Sequence, residues 1–337
     1  MARAEKSGLQ GLRSAGGASL AILAALLAGA PSAASSSGGG LAFEPRLILC
    51  NYAESAALQH PRGIAFDPRD GAIYVSNTGA HRIEVFSRTG RPLGRFLHRV
   101  ARPGGGLVDG RPTALAFDAA GRLLVVDQLA AYVDVLDRRL RPVTRLAIPD
   151  GHPAAVAVGR DGTIWVGTTA EASRVHRFRP DYAPDGVWGE AGTAPGRLQD
   201  IAAIAALGDT AIAVACERTD LTVQIFSPAG EYRRGFGTHE VGDGNFSLPT
   251  GLVADADGRL WVLDDIRRSL QVFDDQGNFA TRIEGGGTAL GAFQHPSAIA
   301  ADGRGLIAVT DRGIGRVQVF AVAMRREGGI ASQLVQP

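Results

Sequence analysis

The sequence predicts an all-β fold, a six-bladed β-propeller of four-stranded antiparallel blades whose ring is closed by an N-terminal strand. Three observations predict this fold: a six-fold repeat, the strand patterns inside each repeat, and one additional strand pattern at the N-terminal end. Each repeat opens on an anchor residue: Pro61, Pro112, Pro153, Ile201, Pro249 and Pro296. The anchors are 41 to 51 residues apart, the length of a four-stranded blade. Such a unit buries its apolar faces only against neighbouring units.

The segment before the repeats has the pattern of a secretory signal. Arg3, Lys6 and Arg13 precede an apolar run at residues 18–30, and a Ser/Gly-rich stretch follows. Those 13 apolar residues are fewer than the roughly 20 that a membrane-spanning helix needs. We therefore expect a signal peptide at 1–34, a linker at 35–42, export to the periplasm or the extracellular space, and no stable membrane insertion after cleavage. An uncleaved N-terminal anchor is the alternative.

Charge and cysteine content exclude two classes of protein. The formal net charge is +1, and the first 34 residues hold three bases and one acid, so the remaining chain is near −1. A chain so close to neutral has no basic footprint for nucleic acid. The two cysteines, Cys50 and Cys216, fall in different predicted blades, too far apart for a disulfide. We expect them to be small buried residues.

The first strand of each blade follows directly from the anchor. Two positions after the anchor the residue is small, the next is aliphatic, and the one after that is Ala in five repeats and Val in the other. The small residues are Gly63, Ala114, Ala155, Ala203, Gly251 and Ala298. Six inner strands crowd one another around a narrow axis, so small side chains are required there.

The second and third strands are rich in β-branched and aromatic residues, which suit a sheet covered on both faces. In the first repeat they are residues 73–77 and 82–86. The third strand ends on Phe86, Leu136, Phe178, Phe226, Phe273 or Phe320. We interpret this column as packing between blades. A polar turn then leads to an outer fourth strand, as at residues 281–284.

The last repeat has no outer strand after residue 322, while residues 43–49 form a strand pattern with no inner strand of their own. We predict that this N-terminal strand completes the last blade and removes an open sheet edge. The propeller then spans residues 43–324, and residues 325–337 are a C-terminal tail.

Several phrases resemble the NHL repeat: residues 242–252, 291–299, 75–77 and 81–86. The resemblance covers about residues 43–322 and implies a six-bladed β-propeller. It implies no single activity, because the fold hosts lyases, lactonases, RNA readers and protein-binding domains.

The amidating-lyase branch of this family places three histidines after the anchors, where they bind an axial zinc ion. In this chain the corresponding column contains no histidine: Arg62, Thr113, Ala154, Ala202, Thr250 and Ser297. His60, His152 and His295 instead precede their anchors. They are either ordinary connector residues or a set of metal ligands.

Polar residues recur where the second strands end: Asn77, Asp127, Asp264 and Asp311, with Thr168 and Cys216 in the other two blades. Each carboxylate either caps the following loop or pairs with a nearby arginine. Alternatively, the column forms a ring of acceptors that binds Ca²⁺, another divalent ion or a cationic ligand at the channel mouth. With Arg62 and Thr250, these four residues are the predicted ligand-binding site.

No catalytic residue and no cofactor other than that divalent ion is predicted, because nucleophile-elbow and phosphate-loop motifs are missing from the sequence. We predict a monomeric, non-catalytic protein that binds a protein, peptide or glycan through its loops. The candidate contact loops are residues 100–111, 217–220 and 186–196. Trp188, in the last of these, is either a contact residue or part of an outer strand. The alternative function is a metal-dependent lyase or hydrolase that acts at the central channel.

Overall fold

The computed structural model describes residues 41–50, 57–102, 104–149, 151–169 and 173–324. These residues form 26 strands, of which 24 make six four-stranded sheets. The predicted all-β class and six-bladed ring are therefore confirmed. The predicted signal peptide and C-terminal tail lie outside the described residues. Within the described ranges, no helix has the length and apolar character needed to cross a bilayer.

The inner and second strands of the blades begin and end close to the predicted positions. The inner strands of blades 1 to 6 are β2 (Pro61–Phe66), β8 (Pro112–Phe117), β12 (His152–Val158), β16 (Ile201–Leu207), β20 (Pro249–Ala254) and β24 (Pro296–Ala301). The second strands are β3 (Ile73–Asn77), β9 (Leu123–Asp127), β13 (Ile164–Thr169), β17 (Ala211–Cys216), β21 (Leu260–Asp264) and β25 (Leu306–Asp311).

The third and outer strands complete each antiparallel sheet. The third strands are β4 (Arg82–Phe86), β10 (Tyr132–Leu136), β14 (Val175–Phe178), β18 (Val223–Phe226), β22 (Ser269–Phe273) and β26 (Arg316–Met324). The outer strands are β5 (Pro92–Leu97), β11 (Pro142–Ala147), β15 (Pro184–Trp188), β19 (Tyr232–Phe236), β23 (Phe279–Glu284) and, in blade 6, β1 (Leu41–Leu49). A separate hairpin, β6 (Arg99–Ala101) with β7 (Leu107–Asp109), joins blades 1 and 2.

The inner strands pack against one another in ring order, and blade 6 returns to blade 1. Their small residues are required by this closeness. A methyl group on Gly63 would lie 2.4 Å from the carbonyl oxygen of Thr113 in the next blade. Blade 1 also donates a side-chain hydrogen bond across the same boundary, from Thr78 Oγ1 to the Pro112 carbonyl at 2.6 Å.

The third-strand aromatic column packs between blades, as predicted. Phe226, Phe273 and Phe320 are each at most 2% exposed and belong to apolar clusters that join neighbouring blades. Trp188 ends outer strand β15, and its ring centroid lies 5.0 Å from that of Phe226. Trp188 is therefore part of the packing between blades 3 and 4.

Two predicted contact loops, residues 100–111 and 186–196, contain parts of β-strands. Residues 100–111 contain most of the β6–β7 hairpin, and its Val100 is fully buried.

The two cysteines are free and lie in different blades, with Cys216 buried at the end of β17. Burial raises the pKa of the Cys216 thiol to about 12.

The strand β1 closes the ring by pairing with β26 in blade 6. It begins at Leu41, two residues before the predicted start. Leu49, at its end, is 1% exposed and packs in the cluster that joins blade 6 to blade 1. The anchor residues and the ends of the second strands lie on one face of the ring, here called the anchor face. The tight turns after the inner strands lie on the opposite face.

Shortening Leu49 should open the ring closure. Leu49→Ala leaves a cavity in a fully buried cluster and should lower the free energy of unfolding by about 2–5 kcal/mol. The neighbouring Ile48, which is 38% exposed on the same strand, is the matched control, and Ile48→Ala should cost less than about 1 kcal/mol. Urea unfolding curves measure both changes. Equal losses would contradict closure through the buried face of β1.

Candidate active site at the channel mouth

The predicted column at the ends of the second strands lies buried beneath the anchor face. Asn77, Asp264 and Asp311 are fully buried, and Asp127 is 1% exposed. Asn77 Oδ1 accepts the Gln59 N–H at 2.7 Å, and its amide nitrogen donates to Glu84 at 3.1 Å. This side chain joins the end of β3 to the incoming connector.

The two carboxylates of blades 5 and 6 cap backbone groups in the same way. Asp264 Oδ2 accepts the Ser247 N–H at 2.6 Å. Asp311 Oδ2 accepts the Gln294 N–H at 2.7 Å, and its Oδ1 accepts the His295 N–H at 3.0 Å. Both carboxylates also accept N–H groups from the loop that follows. The loop-capping interpretation of the sequence describes these residues.

Asp127, in blade 2, has a different environment. Its Oδ1 accepts the Leu129 N–H at 2.9 Å, while its Oδ2 lies 3.4 Å from His98 Nε2. Burial lowers the pKa of His98, and the nearby carboxylates of Asp127 and Asp134 oppose that effect. His98 also anchors the base of the β6–β7 hairpin: its N–H donates to the His81 carbonyl, and its carbonyl accepts the Gly110 N–H.

Thr250 and Arg62 occupy the column after the anchors. Thr250 is half-buried, and its hydroxyl donates to the Pro296 carbonyl of the next blade at 3.0 Å. Arg62 is exposed on the anchor face. Of the six predicted ligand-binding residues, Arg62 is therefore exposed, Thr250 is half-buried and the other four are buried.

A charged group lies one position beyond the predicted column. Asp265 follows Asp264, and its Oδ1 lies 3.0 Å from Nδ1 of His295 in the next blade. Its other oxygen, Oδ2, accepts a hydrogen bond from Arg312 Nη2. We call Arg62, Asp265, His295 and Arg312 the rim cluster, because all four lie at the channel mouth on blades 5, 6 and 1.

The backbone holds the rim cluster in place. The Asp265 N–H donates to the Leu248 carbonyl, and the Arg312 N–H donates to the His295 carbonyl, both at 3.0 Å. Asp311 Oδ1 accepts the His295 N–H as well. The buried capping carboxylates therefore help to position Asp265 and Arg312, the charged residues that follow them in sequence.

The pairing of Asp265 with His295 leaves one imidazole nitrogen available. The Asp265 side chain is 5% exposed, whereas that of His295 is 53% exposed. When Nδ1 donates its proton to the carboxylate, Nε2 of the neutral ring is an acceptor that faces solvent. A buried carboxylate that fixes an exposed histidine in this tautomer is a common general-base arrangement.

Blade 4 carries a second charged group on the anchor face. Asp200 precedes the anchor Ile201, and Arg218 Nε binds its carboxylate at 2.9 Å. Glu217 follows the end of β17 and is half-buried. Burial and the nearby charge of Asp200 raise the pKa of Glu217, against the opposing effect of Arg218. Blades 4 and 1 are three places apart in a ring of six, so Glu217 and Arg62 lie on opposite sides of the mouth.

The ligand set at the mouth does not fit a metal centre built from three side chains. Across the described ranges, no three His, Cys, Asp or Glu side chains converge as metal ligands. The capping carboxylates accept backbone N–H groups, and the three histidines before the anchors do not converge on one another. The residues that the sequence suggested for a divalent ion therefore hold the backbone of the mouth.

A cavity of about 510 Å³ opens on the opposite face of the ring. It is lined by turns of blades 3 to 5, including Arg160, Arg233 and Asp257. No residue of the rim cluster contributes to it. Two of its three carboxylates, Asp255 and Asp257, are bound by Arg259. The cavity and the Asp265–His295 pair therefore lie on opposite faces of the ring.

Sequence reasoning singled out His295 but missed its partner. Asp265 and His295 are 30 residues apart and come together only because blades 5 and 6 are neighbours. One signal was present: the acidic column is doubled at Asp264 and Asp265, and a single cap needs only one carboxylate.

Removing a capping carboxylate should unfold the mouth. Asp311→Ala leaves the N–H groups of Gln294 and His295 without their acceptor and should lower the free energy of unfolding by about 2 kcal/mol or more. The exposed Asp257 is the control, and its change to Ala should cost less than about 0.5 kcal/mol. Guanidinium unfolding measures both changes. A stable Asp311→Ala protein would contradict the capping role.

The comparisons with known proteins concern the repeat and the fold. An NHL repeat is matched at residues 58–86. A search of curated protein sequences finds no match. The structure is similar to a gluconolactonase from Xanthomonas campestris, with a TM-score of 0.60 and 18% identity over 79% of this chain and 88% of that one. It is also similar to virginiamycin B lyase from Staphylococcus aureus, with a TM-score of 0.57 and 13% identity over 83% and 99% of the two chains.

These similarities correct the main functional prediction. A further similar structure, a streptogramin B lyase, has a TM-score of 0.57 and 15% identity over 84% of this chain and 98% of that one. The prediction of a non-catalytic binding protein is wrong, because these similar propellers are enzymes. The prediction rested on a sequence without a recognisable catalytic motif, and a sequence alone does not show which side chains neighbouring blades bring together. The chain is therefore a six-bladed β-propeller in which residues 58–86 match an NHL repeat.

Proposed function

We propose that the protein is a hydrolase or lyase that acts at the channel mouth on the anchor face. The observation that carries this proposal is the contact of 3.0 Å between the buried Asp265 carboxylate and the exposed imidazole of His295. The similarity to lactonase and lyase propellers supports an enzymatic use of this fold, and the side chains of this chain supply the assignment of roles.

His295 is the proposed general base. Its Nε2 removes a proton from water in a hydrolysis, or from carbon in an elimination, and the imidazole becomes positively charged. Asp265 is a positioning residue, because it holds the Nδ1 proton and stabilises the charged ring without touching the substrate. Such a base contributes about 10²–10⁴-fold to the rate.

Glu217 is the proposed general acid. Its raised pKa keeps the carboxyl protonated at a higher pH than an ordinary glutamate, so that it can give a proton to the leaving oxygen. The base then lies on blade 6 and the acid on blade 4.

Loss of the Asp265–His295 pair should abolish most turnover. We expect His295→Gln and Asp265→Asn each to lower kcat by about 10²–10⁴-fold, because both remove the oriented base. A panel of small lactones and esters is the assay, measured with and without a chelator to separate this mechanism from a metal-dependent one.

The matched control is His60, which precedes the anchor of blade 1 as His295 precedes that of blade 6. No described carboxylate pairs with His60, so His60→Gln should leave kcat within about twofold of the unmodified protein. Equal losses at both histidines would contradict the assignment.

Glu217→Gln should change the pH dependence of turnover. In the unmodified protein, kcat should fall as pH rises through the raised pKa of Glu217, because the acid loses its proton. The glutamine variant should be slow at low pH and should lack that fall. A variant that keeps the alkaline fall would exclude Glu217 as the acid.

The same substitution should alter stability in a pH-dependent way. Because the pKa of Glu217 is higher in the folded than in the unfolded chain, its favourable contribution is present at low pH and is lost as pH rises through the folded pKa. Glu217→Gln should therefore match the unmodified protein near pH 4 and exceed its melting temperature near pH 8. A difference of the opposite sign would contradict the raised pKa.

Hydrolase and lyase reactions differ in the origin of one product oxygen. Turnover in H₂¹⁸O should place one labelled oxygen in the product of a hydrolysis. An elimination should give an unlabelled product with a new double bond, which mass spectrometry and ultraviolet absorbance distinguish.

A further inference from the structure

Arg62 has an unpaired positive charge at the channel mouth. Its side chain is exposed on the anchor face, and its guanidinium forms no ion pair with any carboxylate of the described chain. An exposed arginine on a flat surface would need no partner. This one lies on the innermost strand of blade 1, which packs against the inner strand of blade 6, the blade of the proposed general base.

Asp265 is the carboxylate whose charge acts on Arg62, and it already binds two other side chains. Asp265 uses one oxygen for His295 and the other for Arg312. Each Asp265 oxygen therefore already has a partner within the rim cluster, and no ion pair joins Asp265 to Arg62 among the described residues. The rim cluster contains two guanidinium groups and one carboxylate, which leaves at least one positive charge uncompensated.

The two guanidinium groups are close enough to disfavour each other. Burial and the charge of Arg312 lower the pKa of Arg62, while Asp265 opposes this effect. Arginine nevertheless stays charged in proteins. Repulsion of this kind between two fixed cations is relieved when an anion lies between them.

The backbone of Arg62 is fixed from the neighbouring blade. The Pro61 carbonyl accepts a hydrogen bond from Ser297 Oγ at 2.7 Å, and the Arg62 carbonyl accepts one from Thr310 Oγ1 at 3.4 Å. Arg312 is held by Asp265 and by the His295 carbonyl. The Arg312 side chain is therefore held in place before a ligand arrives, and the strand backbone fixes the position from which the Arg62 side chain extends; both lower the cost of binding.

We propose that Arg62, assisted by Arg312, binds a carboxylate group of the substrate at the channel mouth, next to His295. The guanidinium fork matches the two oxygens of a carboxylate. The substrate class is thus a small acid that keeps its carboxylate outside the reacting bond. This inference rests on the proposed function for the location of the chemistry, but the binding itself requires no turnover.

The sequence had suggested the opposite charge. A ring of acceptors at the mouth would take a calcium ion or a cationic ligand. Asp264 and Asp311 accept backbone N–H groups below the rim, whereas Arg62, Arg312 and His295 reach solvent at the mouth. The exposed charge on this side of the mouth is therefore positive.

Calorimetric titration of the full protein with succinate, at low ionic strength, tests the proposal. Succinate should bind with a stoichiometry of one, and the uncharged succinamide should not bind. Arg62→Gln should weaken the affinity for succinate at least about tenfold, the loss expected for a charge-assisted hydrogen bond. Arg62→Lys should retain part of it. Thermal unfolding confirms that each variant is folded.

Two controls make the outcome decisive. Arg160, exposed beside the cavity on the opposite face, is the matched arginine, and Arg160→Gln should bind succinate normally. Loss on Arg160→Gln with retention on Arg62→Gln, or no succinate binding at all, would overturn the proposal. His295→Gln should keep succinate binding while losing turnover. Failure of the catalytic assignment is thereby distinguished from failure of the carboxylate site.

Discussion

The close approach of six inner strands around one axis is the constraint on which this structure depends. At Gly63 even a methyl group would meet the backbone of the next blade at 2.4 Å, so the residues facing neighbouring blades stay small. That crowding fixes the distances between blades, and the larger apolar residues then fill the wedge between them farther out. The pairing of β1 with β26 gives blade 6 its fourth strand and leaves no open edge on β26.

The same geometry places the ends of all second strands around one mouth. There the connector from the preceding blade and the loop after the second strand would leave backbone N–H groups without partners. Asp264 and Asp311 accept these groups. Burying a carboxylate is costly unless it is well hydrogen-bonded, and here several N–H groups satisfy each one. The benefit is a rigid rim, on which the residue following each cap has a fixed position.

The residues on that rim are not symmetric, although the fold is. Blades 5, 6 and 1 contribute the Asp265–His295 pair and two arginines, whereas blade 4 contributes Asp200 and Glu217. A ring of identical blades cannot distinguish the two ends of a small substrate. The proposed base and the two cations lie on one side of the mouth and the half-buried Glu217 lies on another, so the two ends of a bound substrate would meet different groups.

The sequence by itself determined the number of blades, the starts of the inner strands, the aromatic packing column and the closing N-terminal strand. These features follow from local periodicity and from the repeat length, which the order of residues records directly. It also predicted the buried column that includes Asp264 and Asp311, with loop capping as one interpretation. Only the tertiary structure decided that Asp265 meets His295 and that Arg62 stays unpaired, because these relations depend on which side chains neighbouring blades bring to the rim.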